Sequence, residues 1–429
     1  MAIMLIGLLI SSFMLLAIFL FITKSTFFKL EGFPSVNFLV IFIIKLLAMT
    51  FLWWIYTYYY TDSSKADIYK YFNDAKEIKV AIGTNWKLLI DVLNPWNKPS
   101  ETYTLALKNT MHWDQSSTFL FNDNRSMIRL NLIMLYISNG FFHLHALFFT
   151  FCSFLGSVAL FRFFQKTTKV ATSALVVGVF LIPSSLLWTS SILKESWLFF
   201  NLGFFLYFLE KLLRHKNIKF LCYTFCFLIL LIGIKTYVFI ALIPAFVFLI
   251  FNFFSKISMV KNFFLSHVLF FALLLIFKGE NLLLKLQVKL LDINQVAITE
   301  NAGSYFEMKL YHNWIDFFTQ LPKGLYNVFV RPIFPPQVNL LSLLSSIEGA
   351  FLLALPLLLV FYFKKVKSKQ LLIALLCISF VLCLATIVGM TTNVLGAIVR
   401  YKVPLLPFYF VSLLTFVEHN KVPYLKKLK

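Results

Sequence analysis

Apolar runs of roughly 17–25 residues recur along the chain, each long enough to cross a ~30 Å hydrocarbon layer as a helix. Such runs leave few choices of fold. In lipid every backbone amide must find its partner within the segment or in a closed barrel, so the reading is all-α, a polytopic integral membrane protein. With 429 residues, 60% of them hydrophobic, and a mean hydropathy of +0.83, the chain carries more apolar surface than a soluble core needs. The spans read as 2–22, 36–58, 141–162, 170–189, 196–212, 218–234, 237–254, 262–278, 346–363, 370–389 and 403–417, about 11 transmembrane helices in a single membrane domain, 1–429. Residues 2–22 lack a basic leading region and a small-residue cleavage site, so they read as a retained span.

The net charge of +21 is distributed in a way that argues against nucleic acid as a partner. Lys and Arg dominate the short loops 23–35, 162–169, 210–219, 255–262 and 364–369 and the tail 418–429, where Glu31, Glu210 and Glu418 are the acids. Excess Lys/Arg in short loops marks the cytoplasmic side, which puts the N-terminus outside and the C-terminus inside. The other face then holds most of the 18 acidic residues and two long polar regions, 59–140 and 279–345, read as extracytoplasmic loops containing interfacial helices. Trp86, Trp96 and Trp113 in the first are expected as interfacial anchors. Lys235 and Thr236 form the polar break between two apolar runs, and downstream orientation depends on that break being a turn.

Three constellations carry candidate chemistry. After the aromatic stretch Trp53 to Tyr60 comes an acidic segment in which a helix would align Asp67, Tyr71 and Asp74 on one face, a setting for a general base or a divalent-cation ligand, with Asp62 as an expected cap. The turn from Pro183 to Trp197 carries Lys194 and Glu195 beside the membrane after a Ser/Thr-rich approach. The last span is preceded by Arg400 and Lys402, cations suited to phosphate, and Lys235 and Arg331 add further outward-facing bases. Lys45, well inside its span, is either functional or snorkelled to the inner surface. His143 and His145 point to different faces of their helix, and the five cysteines read as small packing residues.

The order of Ala66-Asp67-Ile68-Tyr69-Lys70-Tyr71-Phe72, the Pro183 to Glu195 turn, Arg331-Pro332 and Arg400-Tyr401-Lys402-Val403-Pro404 resembles bacterial membrane proteins of surface-polysaccharide gene clusters. These are similar to GT-C-type membrane glycosyltransferases, which use polyprenyl-phosphate sugars, and to the EpsG/Wzy-like polysaccharide polymerases. The resemblance implies Asp67 as catalytic base with Asp74 assisting. Tyr71, Lys194, Glu195, Lys235, Arg331, Arg400 and Lys402 would then bind substrate. It implies a polyprenyl-phosphate-linked sugar and a glycan or lipid acceptor as partners within the membrane lipid, with a divalent cation (Mg or Mn) as an optional cofactor. The chain differs in an additional N-terminal span and in lacking an acidic doublet in the first outer loop. A lipid-linked oligosaccharide flippase is the non-enzymatic alternative.

Overall fold

The computed structural model describes residues 2–30, 32–59, 66–96, 100–113, 123–299, 302–335, 339–419 and 421–422. Among them the secondary structure is helical, with isolated β-bridges and no strand. The chain opens with α1 (Ala2–Lys24) and α2 (Ser35–Trp54), followed by α3 (Asp67–Ile82), α4 (Trp86–Leu93), α5 (Glu101–Ala106) and α6 (Asp123–Ser138) in the first polar region. Next come α7 (Phe142–Thr167), α8 (Thr172–Val176), α9 (Pro183–Trp188), α10 (Lys194–His215), α11 (Ile218–Ile234) and α12 (Thr236–Phe254). The remainder comprises α13 (Met259–Thr299), α14 (Trp314–Phe329), α15 (Leu340–Ala354), α16 (Leu357–Tyr362), α17 (Ser368–Thr391), α18 (Leu395–Tyr401) and α19 (Leu406–Leu414).

Nine helices among the described residues are long and apolar enough to cross a membrane. They match the expected runs except 170–189 and 218–234, where the apolar helices are the shorter Thr172–Leu181 and Ile218–Ile234. Proline explains the first shortfall. Ile182 is extended (φ −66°, ψ 122°), as a residue preceding proline prefers, and the helix stops before Pro183. The second run ends at Lys235, which is non-helical (φ −151°, ψ 84°) before α12 starts at Thr236, so the polar break does end a helix. Residues 279–299, expected as a separate interfacial helix, instead continue α13 without interruption. Trp86 and Trp96 are exposed, whereas Trp113, also expected as an anchor, is 1% exposed and belongs to the core. Asp62 lies outside the described residues.

The chain forms two compact units, unit 1 comprising Met1–Phe163 with Leu186–Thr236 and unit 2 comprising Phe164–Ser185 with Tyr237–Lys429. In unit 1 helices α7 and α10 cross with their backbones touching: a side-chain carbon on Gly203 would strike the Gly156 carbonyl, and one on Gly156 would strike that of Phe199. Small residues at a crossing allow this close packing where lipid supplies no hydrophobic drive. Helix α10 turns back into α11 through Lys216, in the left-handed conformation (φ 50°), and Asn217, whose side chain accepts the Lys219 N–H. Phe28, Phe38, Phe42, Phe154 and Phe161 fill the interior in edge-on, stacked and tilted pairs, and the edge-on ones suit the quadrupole of the ring. In unit 2 the same device recurs where Gly324 of α14 meets Gly389 of α17.

Candidate functional site

In unit 1 the N-termini of α3, α6 and α10 and the C-terminus of α11 gather charged residues at one end of the bundle. Ala66 and Ile68 pack with Leu52 and Leu193, which anchors the start of α3 against α2 and against the turn before α10. Asp67, the first residue of α3, is thereby held at the edge, its side chain 28% exposed and 3.5 Å from the Lys70 ammonium. One turn on, Tyr71 is buried with the Lys194 ammonium 5.6 Å from its ring centre. Lys194 also forms a 2.7 Å ion pair with Asp123, the first residue of α6. Carboxylates at Asp67 and Asp123 complement the positive ends of their helices.

Asp74 is on the expected face but has a different environment from Asp67. It is buried, and its two oxygens accept the backbone N–H groups of Met111 (3.0 Å) and His112 (2.7 Å). The same turn is held from its other side by Arg125, whose Nε donates to the Trp113 carbonyl at 2.9 Å. The guanidinium groups of Arg125 and Arg129 lie over the Trp113 ring at 5.7 and 5.0 Å. These contacts hold the backbone of His112, whose ring is within electrostatic reach of Asp67, Lys70 and Lys194. Asp74 thus acts as a brace for that turn, and His112 is the site residue that sequence reasoning missed. Its signal was weak: a lone histidine next to a tryptophan in a loop, with no spacing that marks a ligand.

Burial pushes the His112 imidazole below its ordinary value of 6.5; Asp74 and Asp67 oppose that shift, and Lys70 and Lys194 add to it. Folding therefore favours the neutral ring. Its contribution to stability is complete above pH 6.5 and is lost as pH falls through the lower folded value. Thermal unfolding in detergent is expected to show a larger drop in Tm between pH 7.5 and pH 5 for the wild type than for His112→Gln. Equal drops would remove the assignment.

Glu195 and Lys235 form an ion pair of 2.7 Å, with side chains 0% and 4% exposed. The α10–α11 hairpin explains the meeting, since it returns the end of α11 to the start of α10. The Ser126 hydroxyl donates to the Gly233 carbonyl at 2.9 Å and ties α6 to the same place. Deeper in the unit, Lys45 donates to Thr189 Oγ1 at 2.6 Å, and both side chains are buried. Lys45 therefore turns inward, and the snorkelling alternative does not hold. Thr189 belongs to a fully buried turn tied to α7 by the Ser191 N–H donating to Thr150 Oγ1.

His143 and His145 do diverge. His143 packs edge-on against Trp53, whereas His145 is sealed between Asn131 Oδ1 (2.8 Å from Nδ1) and Ser138 Oγ (2.6 Å from Nε2). The arrangement has the connectivity of a Ser-His-Asn triad, but all three side chains are buried, so it is a clasp across the α6–α7 turn. Among the described residues no three His, Cys, Asp or Glu side chains gather as metal ligands, so the optional divalent cation has no ligand set there.

The other expected cations belong to unit 2. Arg400 lies in α18 and is nearly buried, and Lys402, 2% exposed, is within electrostatic reach of Glu348. Glu348 is itself buried in the apolar α15 and accepts both the N–H and the hydroxyl of Ser184, each at 2.6 Å. It had a readable signal, a carboxylate inside an apolar run. The turn carrying Arg331 packs against α18. Residues Ser304 to Phe306 hold the approach to that helix: Leu395 N–H donates to the Ser304 carbonyl (2.9 Å) and Phe306 N–H to the Asn393 carbonyl (3.0 Å).

The helical architecture and these buried charges define the chain as an all-helical protein with the spans of a polytopic membrane protein. No family model, curated protein or solved structure matches it.

Proposed function

We propose that the protein transfers a sugar from a polyprenyl-phosphate-linked donor to a glycan, lipid or protein acceptor in cell-surface polysaccharide assembly. In this reading it lies in the bacterial inner membrane with its N-terminus outside. The two shorter apolar helices complete eleven passes, and the charged end of unit 1 faces outward. One observation carries the reading: Asp67 is partly exposed at the start of α3, within electrostatic reach of His112 and Lys194. A lipid-linked donor presents its phosphate at such a depth, within reach of both groups.

In the transfer, Asp67 accepts the proton of the acceptor hydroxyl as its oxygen bonds to the anomeric carbon. The bond from that carbon to the phosphate oxygen breaks, and the electron pair leaves with polyprenyl phosphate. Lys194 and His112 stabilise the charge that builds on the leaving phosphate. Asp74 serves by holding the His112 turn, and the Glu195–Lys235 pair holds the helix ends.

Asp67→Asn is expected to lower turnover of a polyprenyl-phosphate sugar in reconstituted vesicles by roughly 10²–10⁴-fold with insertion unchanged. Transfer within a few-fold of wild type would sink the reading. A polymerase of the Wzy-like kind is the second reading, favoured by the nearly buried Arg400 and by Lys402, which is within electrostatic reach of Glu348 in unit 2. It requires Arg400→Ala to shorten the glycan while Asp67→Asn leaves its length unchanged.

A further inference from the structure

Arg331 is held by an aromatic stack and a single side-chain hydrogen bond. It opens the short 3-10 turn Arg331–Ile333 that follows α14, where its guanidinium lies 3.9 Å from the centre of the Phe306 ring and 5.7 Å from that of Tyr326. Its Nε donates to Asn327 Oδ1 at 2.8 Å. Both supports are themselves fixed. Asn327 is fully buried and its amide reaches the Gly389 carbonyl at 3.3 Å, beside the α14–α17 glycine crossing. Phe306 is buried and held by its N–H on the Asn393 carbonyl at 3.0 Å.

Lys194, Lys235 and Lys70 each meet a carboxylate. Arg331 meets none among the described residues, and its Nη1 and Nη2 make no hydrogen bond there, although the side chain is only half-buried. The ring below uses the face of the guanidinium and Asn327 uses one edge, so the Nη1/Nη2 end is left as a planar fork. Such a fork matches two oxygens of a phosphate or carboxylate, and because the stack has already restricted the side chain, little freedom is lost on binding.

We propose that Arg331 is an oxyanion receptor that grips a phosphate group or a sugar carboxylate end-on through Nη1 and Nη2. The ordinary alternative is a guanidinium that only packs on aromatic rings. Lysine keeps the charge but neither the planar fork nor the Nε bond, so Arg331→Lys separates the two. The site stands apart from the Asp67 chemistry, and its test reads binding rather than transfer.

Purified full-length protein in detergent is heated with inorganic phosphate, with glucuronate, or with chloride at matched ionic strength. Phosphate or glucuronate at saturation is expected to raise the Tm of the wild type and of Asp67→Asn by about 2–5 °C. Arg331→Lys is expected to show no such rise. A response to phosphate alone identifies a phosphate ligand, and a response to glucuronate alone identifies an acidic sugar. No shift with either anion, or a shift that persists in Arg331→Lys, overturns the proposal. Should the variant not fold, phenylglyoxal modification of wild-type Arg331 followed by mass spectrometry decides: slowing by the same anion supports the site, and modification that neither anion slows overturns it.

Discussion

Gly203→Leu is expected to destabilise the protein by about 3 kcal/mol or more and to leave little material that elutes as a folded species. Overpacking a filled interior ordinarily costs about 1–3 kcal/mol, relieved by shifts of flexible side chains. At Gly203 the obstacle is the Gly156 carbonyl, part of a backbone that cannot move unless α7 and α10 separate. Gly156→Leu should do the same from the opposite helix, since it meets the backbone of Phe199 and Phe200. Gly396→Ala is the control, because an added carbon there finds only Ser304 Oγ at 3.6 Å. Fluorescence-detected size exclusion and thermal unfolding in one detergent give the comparison. A Gly203→Leu protein as stable as the control would mean that the crossing is not as close as described.

Glu195→Leu is expected to cost about 3–5 kcal/mol, because it leaves the Lys235 ammonium buried without its carboxylate. Lys235→Met should cost a similar amount for the converse reason. The double variant should recover most of the loss, since a buried ion pair gives back in mutual attraction roughly what its desolvation takes. Glu195, Lys235 and Lys194 lie close together, so a double-mutant cycle is the measurement that isolates the pair term. Single variants within about 1 kcal/mol of wild type would show that water reaches the pair.

Sequence patterning identified the helices well, because a span must be an uninterrupted apolar run and the runs are plain to read. It drew one run longer than its helix where a local backbone rule intervened, since Pro183 interrupts 170–189, and Ile218–Ile234 is a helix of only 17 residues, about 26 Å. It divides α13 into the span 262–278 and an outer region from 279, yet a helix can pass from lipid to water without losing a single backbone bond. For the site, periodicity placed Asp67, Tyr71 and Asp74 on one face, and the helix has them there. Periodicity could not tell that one carboxylate is at the edge and the other beneath a turn, because that depends on residues 107–113 packing onto α3. Lys194 and Glu195 are neighbours in sequence, but adjacent helical residues point apart, and each finds its partner on another helix, Asp123 and Lys235. Those partners are set by the tertiary fold, which no local window contains.

The 41 residues of α13 amount to about 62 Å of continuous helix, twice the depth of the hydrocarbon layer. A rod of that length cannot be accommodated by tilting alone at ordinary angles. Roughly half of it must leave the lipid, and the stretch beyond Phe277 packs through Leu283 and Leu290 against Tyr311, Phe317 and Met390. Spin labels placed near Phe271 and near Ile298 should therefore keep a narrow spread of separations, and any tilt of the span would have to carry Tyr311, Phe317 and Met390 along with it.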